Sequence, residues 1–110
     1  MDIEVQPDDR ILLLSIADLS AVRSLVARAA QGLVVGLGTD EEVRAARKTL
    51  RDLETVMFVL QPENGSIPWQ ESFFSRVIAP QHTEASPEFL RVLVPGGTLH
   101  LAGGRQVTKS

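Results

Sequence analysis

The chain has 110 residues, 44% hydrophobic and 23% charged, with a formal net charge of −3. That length gives a single domain with a real core, and the mild acidic balance argues against a nucleic-acid partner held through a broad basic surface. The apolar runs are all shorter than the ~18 residues that cross a bilayer, and the start Met1-Asp2-Ile3-Glu4 lacks the pattern of a signal peptide. Zero cysteines excludes disulfides, thiolate metal sites and Cys nucleophiles and fits a cytoplasmic protein.

Residues 1–9 read as a polar N-terminal extension with a turn at Pro7-Asp8-Asp9. Residues 10–15, RILLLS, form a short unbroken apolar run, the pattern of a strand buried on both faces. Over 17–30, Leu19, Val22, Leu25, Val26 and Ala29 recur at helical spacing, with Asp18 or Ser20 as the capping residue. Gly32 then closes that helix as a left-handed C-cap, and 33–37, LVVGL, give a second buried strand. Thr39 with Glu42 three residues on is a capping box. The helix it opens places Val43, Ala46, Leu50 and Leu53 on one face and Arg44, Arg47, Lys48, Arg51 and Asp52 on the other, a solvated face. Residues 55–60, TVMFVL, are a third strand and Phe74–Ala79 a fourth. The connection between these two is too short for a full helix, so one face of the sheet is expected to be thinly covered. Ser86 caps a short helix that carries Pro87 in its first turn and runs to about Leu93. Pro95-Gly96-Gly97 turns the chain into a fifth strand over 98–102. Residues 105–110 are expected to fray. The alternation of strand and helix implies a parallel sheet with right-handed crossovers.

One stretch is more specific. Ile67-Pro68-Trp69, Phe73-Phe74, Val77-Ile78 and the run Arg91-Val92-Leu93-Val94-Pro95-Gly96-Gly97-Thr98-Leu99 stand in the order and spacing of the second half of a class I S-adenosylmethionine (SAM) methyltransferase core. The chain resembles that family from about Arg10 to Gly104. The resemblance implies a minimal three-layer Rossmann-like α/β fold with a mainly parallel five-stranded sheet in the order 3-2-1-4-5. It also implies a C-terminal edge left open at the fifth strand, since the family continues beyond it with a further hairpin. Open edges invite pairing, so the chain is expected to self-associate or to meet a partner protein; Met1–Val5, with Ile3 and Val5 alternating with acids, could shield an edge.

The cofactor-binding signals of the family are missing. Where the resemblance places a GxGxG loop after the first strand, the chain has Ser15-Ile16-Ala17-Asp18-Leu19, without glycine. Where it places a ribose-binding acid at the end of the second strand, the chain has Gly36-Leu37-Gly38. Asp40, two residues on, reads first as a helix-start acid. After the third strand the adenine-contacting position falls near Gln61, with Glu63 close by in a polar loop. Each such contact, left unpaired, costs ~1–3 kcal/mol. No catalytic residue and no metal site are expected, and no bound cofactor. If SAM binds after all, the residues that would hold it are Ser15, Ala17, Gly36, Gly38, Asp40, Gln61 and Glu63. Weak substrate-contact candidates are His82, in the loop after the fourth strand, and Trp69, for which packing against the sheet is the simpler reading. His100 alternates within the fifth strand and reads as structural. The expectation is thus a methyltransferase-like domain without standard SAM binding, acting as an interaction or regulatory module. The alternative is a divergent SAM-dependent methyltransferase. A third reading is a module binding another small ligand in the same crevice.

Overall fold

A computed structural model of the chain describes residues 4–62 and 66–110. The apolar runs form strands β1 (Arg10–Leu13), β2 (Leu33–Gly38), β3 (Val56–Leu60), β4 (Phe74–Ala79) and β5 (Leu93–Leu101). Between them lie helices α1 (Leu19–Arg28), α2 (Asp40–Thr49) and α3 (Pro87–Val92), and a last strand, β6 (Gln106–Thr108), follows β5. The sheet order is β3-β2-β1-β4-β5-β6. The first five strands are parallel throughout, and β6 is antiparallel to β5.

Strand alternation sorts the core into two halves, one on each side of the sheet. On one side Ile11, Leu13, Val34 and Ile78 pack under α1 and α2 through Val22, Leu25, Val26, Val43 and Ala46. On the other, Leu12, Val35, Val77 and Leu99 pack with Phe89 and Val92 of α3. The double-sided burial of β1 is complete for Ile11 and Leu12, which is the reason its sequence is unbroken apolar.

The helix signals act as the sequence implies. Asp18 caps α1 by accepting from Ala21 N. Thr39 and Glu42 form a reciprocal capping box at α2, Thr39 Oγ1 taking the Glu42 N–H and Glu42 Oε1 the Thr39 N–H at 3.0 Å. Ser86 caps α3 with Pro87 in its first turn.

Three expectations are corrected. The sheet has six strands, not five, because residues 106–108 pair with β5 (Leu99 opposite Val107) instead of fraying. Gly103 and Gly104, both at positive φ, turn the chain back at no steric penalty, and Lys109 ties the tail down by donating its backbone N–H to the Gly97 carbonyl and Nζ to the Leu93 carbonyl. The edge of β5 is therefore covered, and the strand left free at the other end of the sheet is β3. Finally, Gly32 is not a left-handed cap. Its place is fixed by close approach, since a Cβ there would lie 1.9 Å from the Asp9 carbonyl oxygen, which itself accepts from Leu33 N. The suggestion of a shielding strand at Met1–Val5 falls partly outside the described residues. Residues 61, 62 and 66–73, between β3 and β4, hold no helix, and on that face Met57 stays 47% exposed.

Candidate functional site

In a sheet of this order the strand order reverses between β1 and β4, and the crevice outside the strand C-termini at that point is where α/β folds place ligands. The residues there are Ser15 to Asp18 after β1, Thr39 and Asp40 after β2, Gln61 after β3, and Pro80 to His82 after β4. An open crevice of about 350 Å³ lies between β1, β4 and α1, lined by Leu13, Ser15, Asp18, Ala21, Ser24, Leu25, Arg28 and Pro80.

The β1–β2 side of the same crest is filled by the chain itself. Ile16 is 1% exposed. Its side chain lies over the end of β2, so a Cβ on Gly36 would come 2.6 Å from Ile16 Cγ2 and one on Gly38 would come 2.8 Å from Ile16 Cδ1. Both glycines are buried. The β1 loop carries an isoleucine, and the strand beside it carries glycines that make room for it. The space over Gly36 and Gly38 is taken by the Ile16 side chain, and the carboxylate beside Gly38 is that of Glu42, whose Oε1 accepts the Thr39 N–H, so these residues do not fit SAM in the family's arrangement without rearranging.

The other conditional contacts lie as follows. Asp40 is the first residue of α2 and pairs with Arg44 at 3.0 Å on the exposed helix face. Ala17 is exposed and Ser15 half-buried, Ser15 lining the open crevice. Gln61 is exposed and donates its backbone N–H to the Gly38 carbonyl. Glu63 lies outside the described residues. The tertiary structure thus gathers Gly36 and Gly38 around Ile16, and Ser15 with Asp18 and Pro80 around the crevice; Asp40 is turned to its own helix.

His82 sits in the loop after β4. Its ring stands edge-on to Phe89 at 5.0 Å, and its carbonyl accepts from Ala102 N, so the loop is pinned to the end of β5. Trp69 packs with Phe73 and Phe74 at centroid distances of 5.5 and 5.6 Å, at the start of β4 and away from the strand C-termini. Arg91 holds this turn in place. Its guanidinium donates to the Ile67 and Trp69 carbonyls at 2.9 and 3.0 Å and pairs with Glu88 at 2.7 Å, while Glu88 Oε2 accepts from Ile67 N. The Arg91 pairing, then the Ile67 N–H, hold the Glu88 carboxyl down to about 2. The Ile-Pro-Trp and Arg-Val-Leu stretches are thus two halves of one clamp.

A buried polar network runs from Asp9, just ahead of β1, across β4 to His100 near the end of β5, and sequence reading missed it. Asp9 accepts from Arg76 Nε, from Ser75 Oγ and from Gln6 N, each at 2.8 Å. Arg76 Nη1 lies 3.2 Å from His100 Nε2. A guanidinium has only donors, so Nε2 is the acceptor and the imidazole is neutral with its proton on Nδ1. Burial pushes His100 below its ordinary 6.5, with Arg76 adding to the effect against an opposing pull from Asp9. For Asp9, burial pulls the carboxyl up, and the hydrogen bonds from Arg76, Gln6 and Ser75 outweigh it, leaving it lowered. The signal was present in the sequence as Arg76, the one charge in the mainly apolar strand Phe-Ser-Arg-Val-Ile-Ala: a charge there needs a buried partner. Among the described residues no group of three or more His, Asp or Glu is placed to hold a metal ion, and no helix is long and apolar enough to cross a membrane.

No sequence-family profile matches the chain, and no curated protein does. Solved structures match it closely in shape. A SAM-dependent methyltransferase from Aquifex aeolicus superposes with a TM-score of 0.75 at 18% identity, over 88% of this chain and 56% of that one. The fold is that of the class I SAM-dependent methyltransferases. A second match comes from a Haloferax volcanii complex between the Trm112 methyltransferase activator and a protein assigned as a methyltransferase, with a TM-score of 0.72 at 25% identity, over 90% of this chain and 46% of that one. The chain spans about half the length of the methyltransferase-fold structures it matches.

Proposed function

We propose that this chain is a methyltransferase-fold domain that does not hold SAM in the family's manner and serves as an interaction or regulatory module for a partner protein. The observation that carries this reading is Ile16, which lies over Gly36 and Gly38 with 1% exposure. An interior packed at this density does not admit a ribose without expelling that side chain, and the carboxylate beside Gly38, that of Glu42, is already engaged by the Thr39 N–H in the capping box of α2. The Haloferax volcanii structure, a complex with an activator protein, supports a protein as the kind of partner. The test is a calorimetric titration of SAM and of S-adenosylhomocysteine into the pure protein. The expected result is no binding tighter than about 100 μM, roughly 5.5 kcal/mol of affinity; tighter binding overturns the reading.

A divergent methyltransferase is the second reading, favoured by one observation. The 350 Å³ crevice at the β1–β4 reversal stays open and presents Ser15, Asp18 and Ser24 beside an apolar wall, the composition of a small-molecule site. Should SAM bind, Asp18→Ala and Asp40→Ala separate a ligand seated in that crevice from one seated at the head of α2.

A further inference from the structure

We propose that the free edge of β3 is a docking site for an extended segment of a partner protein in which acidic and apolar side chains alternate. β3 ends the sheet. Val34 N donates to the Thr55 carbonyl and Gln61 N to the Gly38 carbonyl, and the register between them is parallel and unbroken. Residues 55, 57, 59 and 61 therefore turn their backbone groups toward β2, and Val56, Phe58 and Leu60 turn theirs outward. Natural sheets blunt such edges with charges, prolines or bulges, and the β3 sequence Val-Met-Phe-Val-Leu has none. Instead it exposes Met57 at 47% and Leu60 at 51%, the two large hydrophobic side chains most open to solvent among the described residues. Strand alternation puts them on opposite faces of the sheet.

Among the described residues, one side chain is hydrogen-bonded to the outward backbone of β3. Arg47 reaches over from α2 and donates Nη2 to the outward Phe58 carbonyl at 2.9 Å. Arg51, one helical turn on, lines the same groove beside Met57 and Phe58. The groove holds no carboxylate among its lining residues, although the whole chain carries a net charge of −3. The cationic rim is therefore a local feature of this edge. An added strand would send alternate side chains to the two faces: on one they meet Met57 and Val59, on the other Arg47 and Arg51. Apolar residues suit the first face and acidic residues the second. Binding would exchange the Arg47–carbonyl bond for a backbone ladder and leave the guanidinium free to pair with an incoming carboxylate.

A second copy of this chain is the poorer occupant. Antiparallel pairing of β3 with itself runs about a two-fold axis perpendicular to the sheet, which keeps α2 of both copies on the same side. Arg47 and Arg51 of each copy would then face one another, and β3 brings no acid to compensate.

The inference deepens the interaction-module reading and rests on it, but its test does not involve SAM, so the two fail separately. A fluorescein-labelled peptide, Val-Glu-Val-Glu-Val-Glu-Val, is titrated into the full chain by anisotropy, with amide resonances followed by NMR. Its counterpart with lysine in place of every glutamate is the control. The expected result is binding of the acidic peptide with shifts at Val56, Phe58 and Leu60, at least about tenfold tighter than the lysine peptide. Arg47→Glu removes that preference, and Met57→Ser, which takes apolar surface from the face the valines meet, weakens both peptides; both positions are exposed, and melting curves confirm that the variants fold. Three outcomes overturn the proposal: no β3 shifts at about 1 mM peptide, a millimolar affinity at best; equal binding of the two peptides; or a dimer of the free protein that Leu60→Lys abolishes, which would give the edge to a second copy.

Discussion

Ile16 and Gly38 fit one another as bulk and void: Ile16 Cδ1 lies 2.8 Å from where a Cβ on Gly38 would be. Replacing either residue alone damages the pair. Gly38→Asp, which adds a second carboxylate beside that of Glu42 at the end of β2, overpacks the site, where the strain typical of such changes is about 1–3 kcal/mol. Ile16→Ala opens a cavity and costs about 2–5 kcal/mol. Combined, Ile16→Ala with Gly38→Asp loses less than the sum, because the small residue relieves the clash. Urea denaturation of the three variants checks this, and strict additivity would show that the two side chains do not compete for one space.

The same double variant is the natural place to look for recovered cofactor affinity. Calorimetry with S-adenosylhomocysteine should show tighter binding than the parent gives. No gain in a folded double variant means that the loop backbone, and not the Ile16 side chain alone, closes the site.

Leu12 is fully buried on the α3 side of the sheet, so Leu12→Asp puts an unpaired charge in the core at a cost of several kcal/mol. That rivals the ~5–15 kcal/mol that holds a domain of this kind, and the variant should not melt cooperatively. Leu14, one residue past the end of β1, is only partly buried, and Leu14→Asp is expected to be milder. Equal melting of the two variants would contradict the strand boundary.

His100 gives the stability a pH slope. Its folded pKa lies below the ordinary 6.5, so between the two values the unfolded chain binds more protons than the folded one. The stabilisation is present above 6.5 and is lost as pH falls through the folded value. The groups that face it are Arg76 and, behind that, Asp9. His100→Gln should flatten the dependence of the urea midpoint between pH 7 and 5; an unchanged slope assigns it elsewhere.

Glu88 acts in a lower window. Its pKa falls from 4.5 to about 2 in the folded state, so its contribution is present above 4.5 and disappears as pH drops toward 2. Glu88→Gln or Arg91→Leu removes that component and loosens the Ile67–Trp69 turn. Tryptophan emission of Trp69, the only tryptophan in the chain, should shift to the red in Arg91→Leu. An unshifted spectrum would mean that the stacking on Phe73 and Phe74 holds the ring without the clamp.

The order of the first five strands and the positions of β1 to β4 were legible in the sequence because they depend on local patterns, whereas β5 starts at Leu93 and runs through Pro95-Gly96-Gly97, which reads in the sequence as a turn before a strand over 98–102. A short unbroken apolar run such as ILLL suits a strand covered on both faces, and Thr39 with Glu42 starts a helix through bonds three residues apart. That Ser15-Ile16-Ala17-Asp18-Leu19 holds no glycine, and that β2 ends on Gly38, were equally plain. β6 was not legible, since Gln-Val-Thr holds one apolar residue and becomes a strand only because β5 offers it an edge. Nor could the sequence say where Ile16 points, that Gly36 and Gly38 exist to receive it, or that Asp9, Arg76 and His100 meet across more than 90 positions of chain. Those relations join residues that are distant in the sequence, and packing alone decides them.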